Sequence, residues 1–217
     1  MSGQATMQPD SYLRGYTRRM PQVHDRDAAA TRARILDAAA AEFGQFGIAG
    51  ARVDRIAENA SANKAMLYRY FGSKDALFDA VFSAHVLAFA DAVQFDVADL
   101  AGYAGRLFDS YQDRPLTLRL THWYQLERPN GTPLQAIVES NDRKLNAIAA
   151  AQAEGSLTTD YSPTELLVLV RGIAMSWNNL TPELDRQSPE AGAKRRSLVV
   201  DAVRLVTDGR ASPSSPR

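Results

Sequence analysis

From about residue 28 to residue 209, apolar positions recur with the 3.6-residue period of an α-helix, and strand-like alternation is absent. The first helix is expected to open between Asp25 and Thr31, either of which suits a cap. It carries Ile35, Ala39, Phe43 and Phe46 on one face and ends near Gly47. A second, short helix groups Val53, Ile56, Ala57 and Ala60. Ser61-Ala62-Asn63 then breaks the pattern, and Asn63 is placed to cap a third short helix from Lys64 to Tyr70. Phe71-Gly72 closes that helix, and Ser73 caps a long fourth one through Leu77, Phe78, Val81, Phe82, His85 and Phe89.

Beyond residue 97, helices are expected over residues 99–112, 115–128, 133–153, 163–180 and 189–208. Pro115, Pro129, Pro133, Pro163, Pro182 and Pro189 all fall at these boundaries, where a missing N–H is tolerated. The last two helices are apolar over a wide arc: Leu166, Leu167, Val170, Ile173, Ala174 and Trp177 in one, Leu198, Val199, Ala202, Leu205 and Val206 in the other. Such helices must be buried on more than one side, either at the centre of a domain or against a second subunit. The predicted class is all-α. It comprises a flexible arm over residues 1–27, a three-helix domain over 28–75, a helical bundle over 76–209 entered by the long fourth helix, and a disordered Ser/Pro-rich tail over 210–217.

Composition narrows the chemistry. The chain of 217 residues has no cysteine, which removes disulfides, thiolate metal sites and cysteine nucleophiles. Its three histidines, His24, His85 and His122, lack the spacing of a metal site, and no phosphate-cradling glycine loop, dinucleotide fingerprint or nucleophile elbow is present. The sequence therefore argues against an enzyme and calls for no cofactor and no metal. The N-terminus has no apolar signal-like core, and the most apolar run, Leu166 to Val170, is five residues against the roughly 20 that span a membrane. A soluble, cytoplasmic protein with no membrane partner is expected. Net charge is zero, 25 basic against 25 acidic, but residues 1–75 hold 11 Lys and Arg against eight Asp and Glu. That modest excess makes the N-terminal third the part suited to face phosphate.

Two short helices around a tight break, preceded by a longer one, form the pattern of a helix-turn-helix spanning Val53 to Phe71. In that motif the second helix enters the major groove. Ala57 and Ala65 suit the crossing of the pair, Leu67 anchors inward, and Asn63, Lys64, Tyr68 and Arg69 project outward with phosphate- and base-capable side chains.

The stretch TRARILDAAAAEFGQFGIAGARVDRIAENASANKAMLYRYFGSKDALFDAVF closely resembles the DNA-binding domain of the TetR family of regulators. The likeness lies in ILDAA with a Phe before the Gly, the IA pair of the second helix, the LYRYF end of the third and GSKDALF opening the fourth. The resemblance implies a homodimer reading a palindromic double-stranded operator with two recognition helices about one turn apart. It also implies a variable C-terminal domain that binds a small effector and usually represses when empty; the wide apolar arcs make the last two helices the expected place for the subunits to pair. Within the motif it places Lys64 and Tyr68 toward DNA, Leu67 and Phe71 in the core, and Lys74 near phosphate. The chain departs from the family pattern at Arg52, where Thr or Ser usually caps the second helix, at Ser61, which replaces a turn Gly, and at Met66, which replaces a frequent Thr. Ser61 is thereby expected in the left-handed region, and Arg52 is carried as a phosphate contact.

For the effector, the aromatic and polar residues Phe108, Tyr111, His122, Trp123, Tyr124, Met175, Trp177 and Asn178 offer bulky walls with a few polar handles. Core packing is the competing reading for each aromatic. The alternative for the whole chain is an architectural DNA-binding protein with no ligand, although some 110 residues of C-terminal helices exceed what dimerisation requires.

Overall fold

A computed structural model describes residues 22–187 and 192–208. Helix α1 (Gln22–Gly50), α2 (Val53–Asn59) and α3 (Lys64–Phe71) form the N-terminal unit, and α4 (Lys74–Ala92) leads out of it. A 3₁₀ turn at Val97–Asp99 precedes α5 (Leu100–Asp113), α6 (Pro115–Glu127), α7 (Gln135–Ala153) and α8 (Pro163–Met175). A second 3₁₀ turn (Ser176–Asn179), the short α9 (Pro182–Gln187) and α10 (Gly192–Thr207) complete the chain. There is no strand, and no single helix is long and apolar enough to cross a membrane, among the described residues.

Two cores hold this arrangement. In the first, Ile35, Ala39 and Phe43 of α1 meet Ile56 of α2, Leu67 of α3, and Leu77, Phe78 and Val81 of α4. Phe43 stands edge-on to Phe78 at 5.2 Å, a favoured aromatic geometry. Leu120 of α6, fully buried, closes this core from the side of the C-terminal half. The second core gathers Leu107 and Phe108 of α5, Leu166 and Val170 of α8, and Val199 and Val203 of α10. Helix α10 lies close on α5 at Gly105, where a Cβ would come within 3.0 Å of the Val200 side chain. Helix α4 serves both cores: its first turns carry Leu77 and Phe78 into one, and Phe89 reaches the other. Its 19 residues span about 28 Å as one continuous helix.

The helix ends follow local chemistry. Ser73 accepts from the Ala76 N–H, Asp99 from the Gly102 N–H, and Ser162 forms a reciprocal capping box with Glu165. Pro115, Pro163 and Pro182 open α6, α8 and α9, while Pro129 and Pro133 lie in the α6–α7 connection. Three boundaries differ from the sequence expectation. Helix α1 starts at Gln22, because Asp25 to Ala30 are adequate helix formers that carry no apolar stripe and so are invisible to periodicity. Helix α8 stops at Met175 and tightens into the 3₁₀ turn ahead of extended Leu180. Helix α9, exposed throughout, has no apolar face to betray it. His24, the arm residues Arg14, Arg18 and Arg19, Pro189 and the tail from residue 209 onward lie outside the residues whose side chains are described.

Candidate nucleic-acid interface

The reading head is set by the turn between α2 and α3. Ser61 takes φ 49°, the left-handed region that its place in the motif requires, at a cost of about 1 kcal/mol for a residue with a Cβ. The turn is fastened by the Ala62 N–H to the Ala57 carbonyl at 2.9 Å and by the Arg34 Nε to the Ala60 carbonyl at 3.2 Å, which ties it to α1. Asn63 Oδ1 accepts from the Met66 N–H at 2.8 Å and so starts α3, leaving its amide N–H groups for a partner. Leu67, fully buried, fixes the roll of the helix.

With Leu67 inward, Lys64, Ala65, Tyr68 and Arg69 point outward. Tyr68 is 41% exposed, high for so large a ring. Arg69 lies against the Tyr70 ring at 5.4 Å. Lys64 Nζ pairs with Asp54 at 3.0 Å, but both groups are well exposed, and such a pair contributes little. Ala65 is exposed and takes no part in the α2–α3 crossing assigned to it from the sequence; one position after Lys64 it sits on the outer face, and Ala57 with Ala60 fills the crossing. Phe71, expected in the core, is half-buried, with the Arg32 guanidinium 5.0 Å over its ring.

The two flanking cations behave differently. Arg52 precedes α2 with its side chain exposed and makes no side-chain cap. The missing cap is offset from below by Glu42, a residue not singled out from the sequence, whose side chain is 4% exposed. Glu42 Oε1 accepts from the Arg52 N–H at 2.8 Å and from Arg55 Nη2 at 2.6 Å. Burial alone would raise the Glu42 carboxyl, but the bonds from Arg55 and the Arg52 backbone, with both positive charges, bring it below its ordinary value. A carboxylate is thereby held at the positive end of α2. Lys74, by contrast, turns inward: its Nζ donates to the Ala49 carbonyl at 3.3 Å and the Ala51 carbonyl at 3.4 Å, securing the end of α1.

A second fastening runs from the C-terminal half to α1. At Gly47 the backbone leaves the helix with φ 70°, and a Cβ there would strike the Trp123 ring and the Glu127 carboxylate. The break frees two amides, and the Glu127 carboxylate accepts both, from Ile48 at 2.9 Å and Ala49 at 2.7 Å. Trp123 Nε1 donates to the Gly44 carbonyl at 3.3 Å.

The effector candidates named from the sequence fall in two groups: Phe108, Tyr111, Met175 and Trp177 gather in and on the second core, while His122, Trp123 and Tyr124 sit on α6. Phe108 and Tyr111 are buried in the second core, with Tyr111 stacked on Phe89 at 4.8 Å. Trp123 and half-buried His122 sit on α6, Trp123 against α1; Tyr124 stacks on Phe82 at 4.2 Å. Met175 packs on the second core, Trp177 lies 4.9 Å from the Arg195 guanidinium, and Asn178 Oδ1 accepts from Gln112 at 3.1 Å. These side chains fill core or tie helix to helix. A cleft opens elsewhere, between the last turns of α4 and helices α5, α7 and α8, and none of the candidates lines it. Its polar residues include Ser140 and Lys144, which share a face of α7 with Ile137 and Ile148. A lysine at helical spacing between Ile137 and Ile148 was the available sequence signal.

Comparison with known proteins places this architecture. Residues 35–81 match the model for bacterial regulatory proteins of the tetR family, and residues 99–204 match the tetracyclin repressor-like C-terminal domain. The HTH-type transcriptional repressor SCO4008 of Streptomyces coelicolor is 39% identical over 163 residues, covering 74% of this chain and 84% of its own. The HTH-type transcriptional regulator RutR of Escherichia coli K12 is 29% identical, covering 74% and 79%. The crystal structure of SCO4942 from Streptomyces coelicolor superposes with a TM-score of 0.71 at 41% identity, over 82% of this chain and 98% of that one. The chain is a DNA-binding transcriptional regulator and belongs to the TetR family.

Proposed function

We propose that this protein is a repressor that holds a palindromic operator as a homodimer and leaves it when a small organic molecule occupies the C-terminal half. The observation that carries the DNA reading is the outer face of α3, where Asn63, Lys64, Tyr68 and Arg69 are presented together on a helix rolled into place by Leu67. Arg52 adds an exposed charge beside it. Lys74, bonded to the end of α1, contributes through its charge and by positioning the start of α4, whose free N–H groups suit a phosphate. The name of SCO4008, a repressor, supports the direction of regulation.

Release follows from how the halves are joined. The cleft is walled by Val86 and Phe89 of α4 and by Val93 just beyond it, and the same helix carries Leu77 and Phe78 beneath the reading head. A ligand that fits the cleft better in one tilt of α4 shifts the population toward that tilt and changes the spacing of the two heads in the dimer. The Glu127 and Trp123 bonds to α1 form a parallel link through α6. The test is a nuclease footprint of the full-length protein on the DNA upstream of its own gene, repeated with small molecules. Protection of a two-fold symmetric site that one compound removes is the expected result; protection without symmetry, or protection that no compound alters, overturns the corresponding part.

A further inference from the structure

The cleft has a definite chemical character. Its apolar wall lies on the α4 and α5 sides, through Val86, Phe89, Val93 and Leu107, with Ile137 of α7 beside it. Its polar groups, Tyr103, Ser140, Asn141, Lys144 and Arg171, include two cations and no acid. Lys144 is half-buried on α7, and its Nζ donates to the Ser140 carbonyl and hydroxyl, each at 3.0 Å, which leaves one N–H unused. Arg171 stands exposed on α8 at the rim, with Nη1 donating to Asn141 Oδ1 at 3.4 Å and its guanidinium also hydrogen-bonded to Tyr111. Burial first, then the charges of Arg171 and Arg143, push the Lys144 ammonium below its ordinary value; Asp91, in the adjoining groove, pulls the other way. Tyr103, pushed up to about 12 chiefly by burial, stays a neutral O–H donor.

A partly desolvated lysine facing an arginine, with no carboxylate in the lining, is an unfavourable arrangement in the empty protein. An anion entering between them reverses the sign of that interaction. We propose that the cleft binds an organic carboxylate, its head group held between Lys144 and Arg171 and its hydrocarbon body lying against Phe89, Val93 and Leu107. Its division into one cationic corner and one apolar wall selects an amphipathic acid over a neutral or cationic compound of the same shape. The carboxylate contacts α7 and α8 while its body contacts the last turns of α4. This assignment rests on the reading that the C-terminal half takes an effector, and names the class of that effector.

The experiment is calorimetric titration of the full-length protein with two matched series: octanoate, octanamide and octylamine, and phenylacetate, phenylacetamide and phenethylamine. In at least one series the acid should bind roughly tenfold or more tightly than its amide, as loss of a charged hydrogen-bond partner implies, and the amine should not bind. Lys144→Met and Arg171→Gln should each lower acid affinity to no more than that of the amide in the same variant, and Arg171→Lys should restore most of the preference; circular dichroism and thermal melts establish that each variant is folded. Acids that bind no better than amides in both series, or a preference that survives both variants, overturn the proposal. Release of operator DNA is followed separately by fluorescence anisotropy. An acid that binds through Lys144 and Arg171 without releasing DNA upholds the site and overturns its role as the effector site. Absent acid binding, with operator binding intact, overturns the carboxylate assignment alone.

Discussion

At the scale of single residues, Glu42 shows how a departure from a family pattern is compensated. Arg52 cannot cap α2 as a hydroxyl side chain would, and the carboxylate ten positions earlier takes the Arg52 N–H instead while holding Arg55. Losing that acceptor through Glu42→Ala should cost about 1–2 kcal/mol, comparable to loss of a helix cap, measured by urea unfolding of the full chain. The same bond has a pH signature. Because the folded-state carboxyl lies below its ordinary 4.5, it contributes stability that is fully present above that value and is lost as pH falls through the lower, folded one. Thermal melts should therefore show wild type losing stability more steeply than Glu42→Gln below about pH 4.5; parallel curves would mean that Glu42 is not ionised in its pair. Glu42 was hard to see in the sequence because its partners, Arg52 and Arg55, come into reach only where the chain turns back at Gly47 and Gly50.

At the scale of elements, most of the helices were legible, because the long ones bury apolar residues at helical spacing and most ends carry a cap or a proline. The reading head was legible for a stronger reason: Leu67 fixes the roll of an eight-residue helix, so the outward positions follow from the spacing alone. What stayed hidden depended on tertiary packing. Aromatics nominated as pocket walls fill core or bridge helices, since a ring at helical spacing looks the same in either role. Lys144 and Arg171, 27 residues apart on different helices, meet only when α7 packs on α8. Helix α3 itself makes a direct prediction. Lys64→Ala with Tyr68→Ala should weaken operator binding by roughly 30- to 1000-fold, about 2–4 kcal/mol for a phosphate and a base contact together, and lower the salt dependence by about one counterion. Neither residue is buried, so the melting temperature should be little changed. Unchanged DNA affinity would remove α3 from the groove.

At the scale of the whole molecule, the exposed leucines mark the face that the proposed dimer would bury. Helix α10 turns Val199 and Val203 into the second core, yet Leu198 is 47% exposed and Leu205 80%, seven residues apart and so on one stripe. Val168 of the adjoining α8 is 63% exposed. Nothing within the described chain covers these side chains, and fully burying each leucine contributes about 1.5–3 kcal/mol. In a two-fold interface every such residue counts twice, and a glutamate in its place meets its own symmetry mate. Leu198→Glu with Leu205→Glu should therefore give a monomer by sedimentation velocity, with helical content retained because neither side chain belongs to the core. The consequence for DNA is larger than the loss of contacts. Two reading heads joined in one dimer make the second half-site an intramolecular encounter, and separating them should cost about 100- to 10,000-fold in apparent operator affinity while each head still occupies a half-site at high concentration. A variant that stays dimeric would place the interface on a different face. One that is monomeric yet binds the full operator as tightly as wild type would mean that the two heads do not act together.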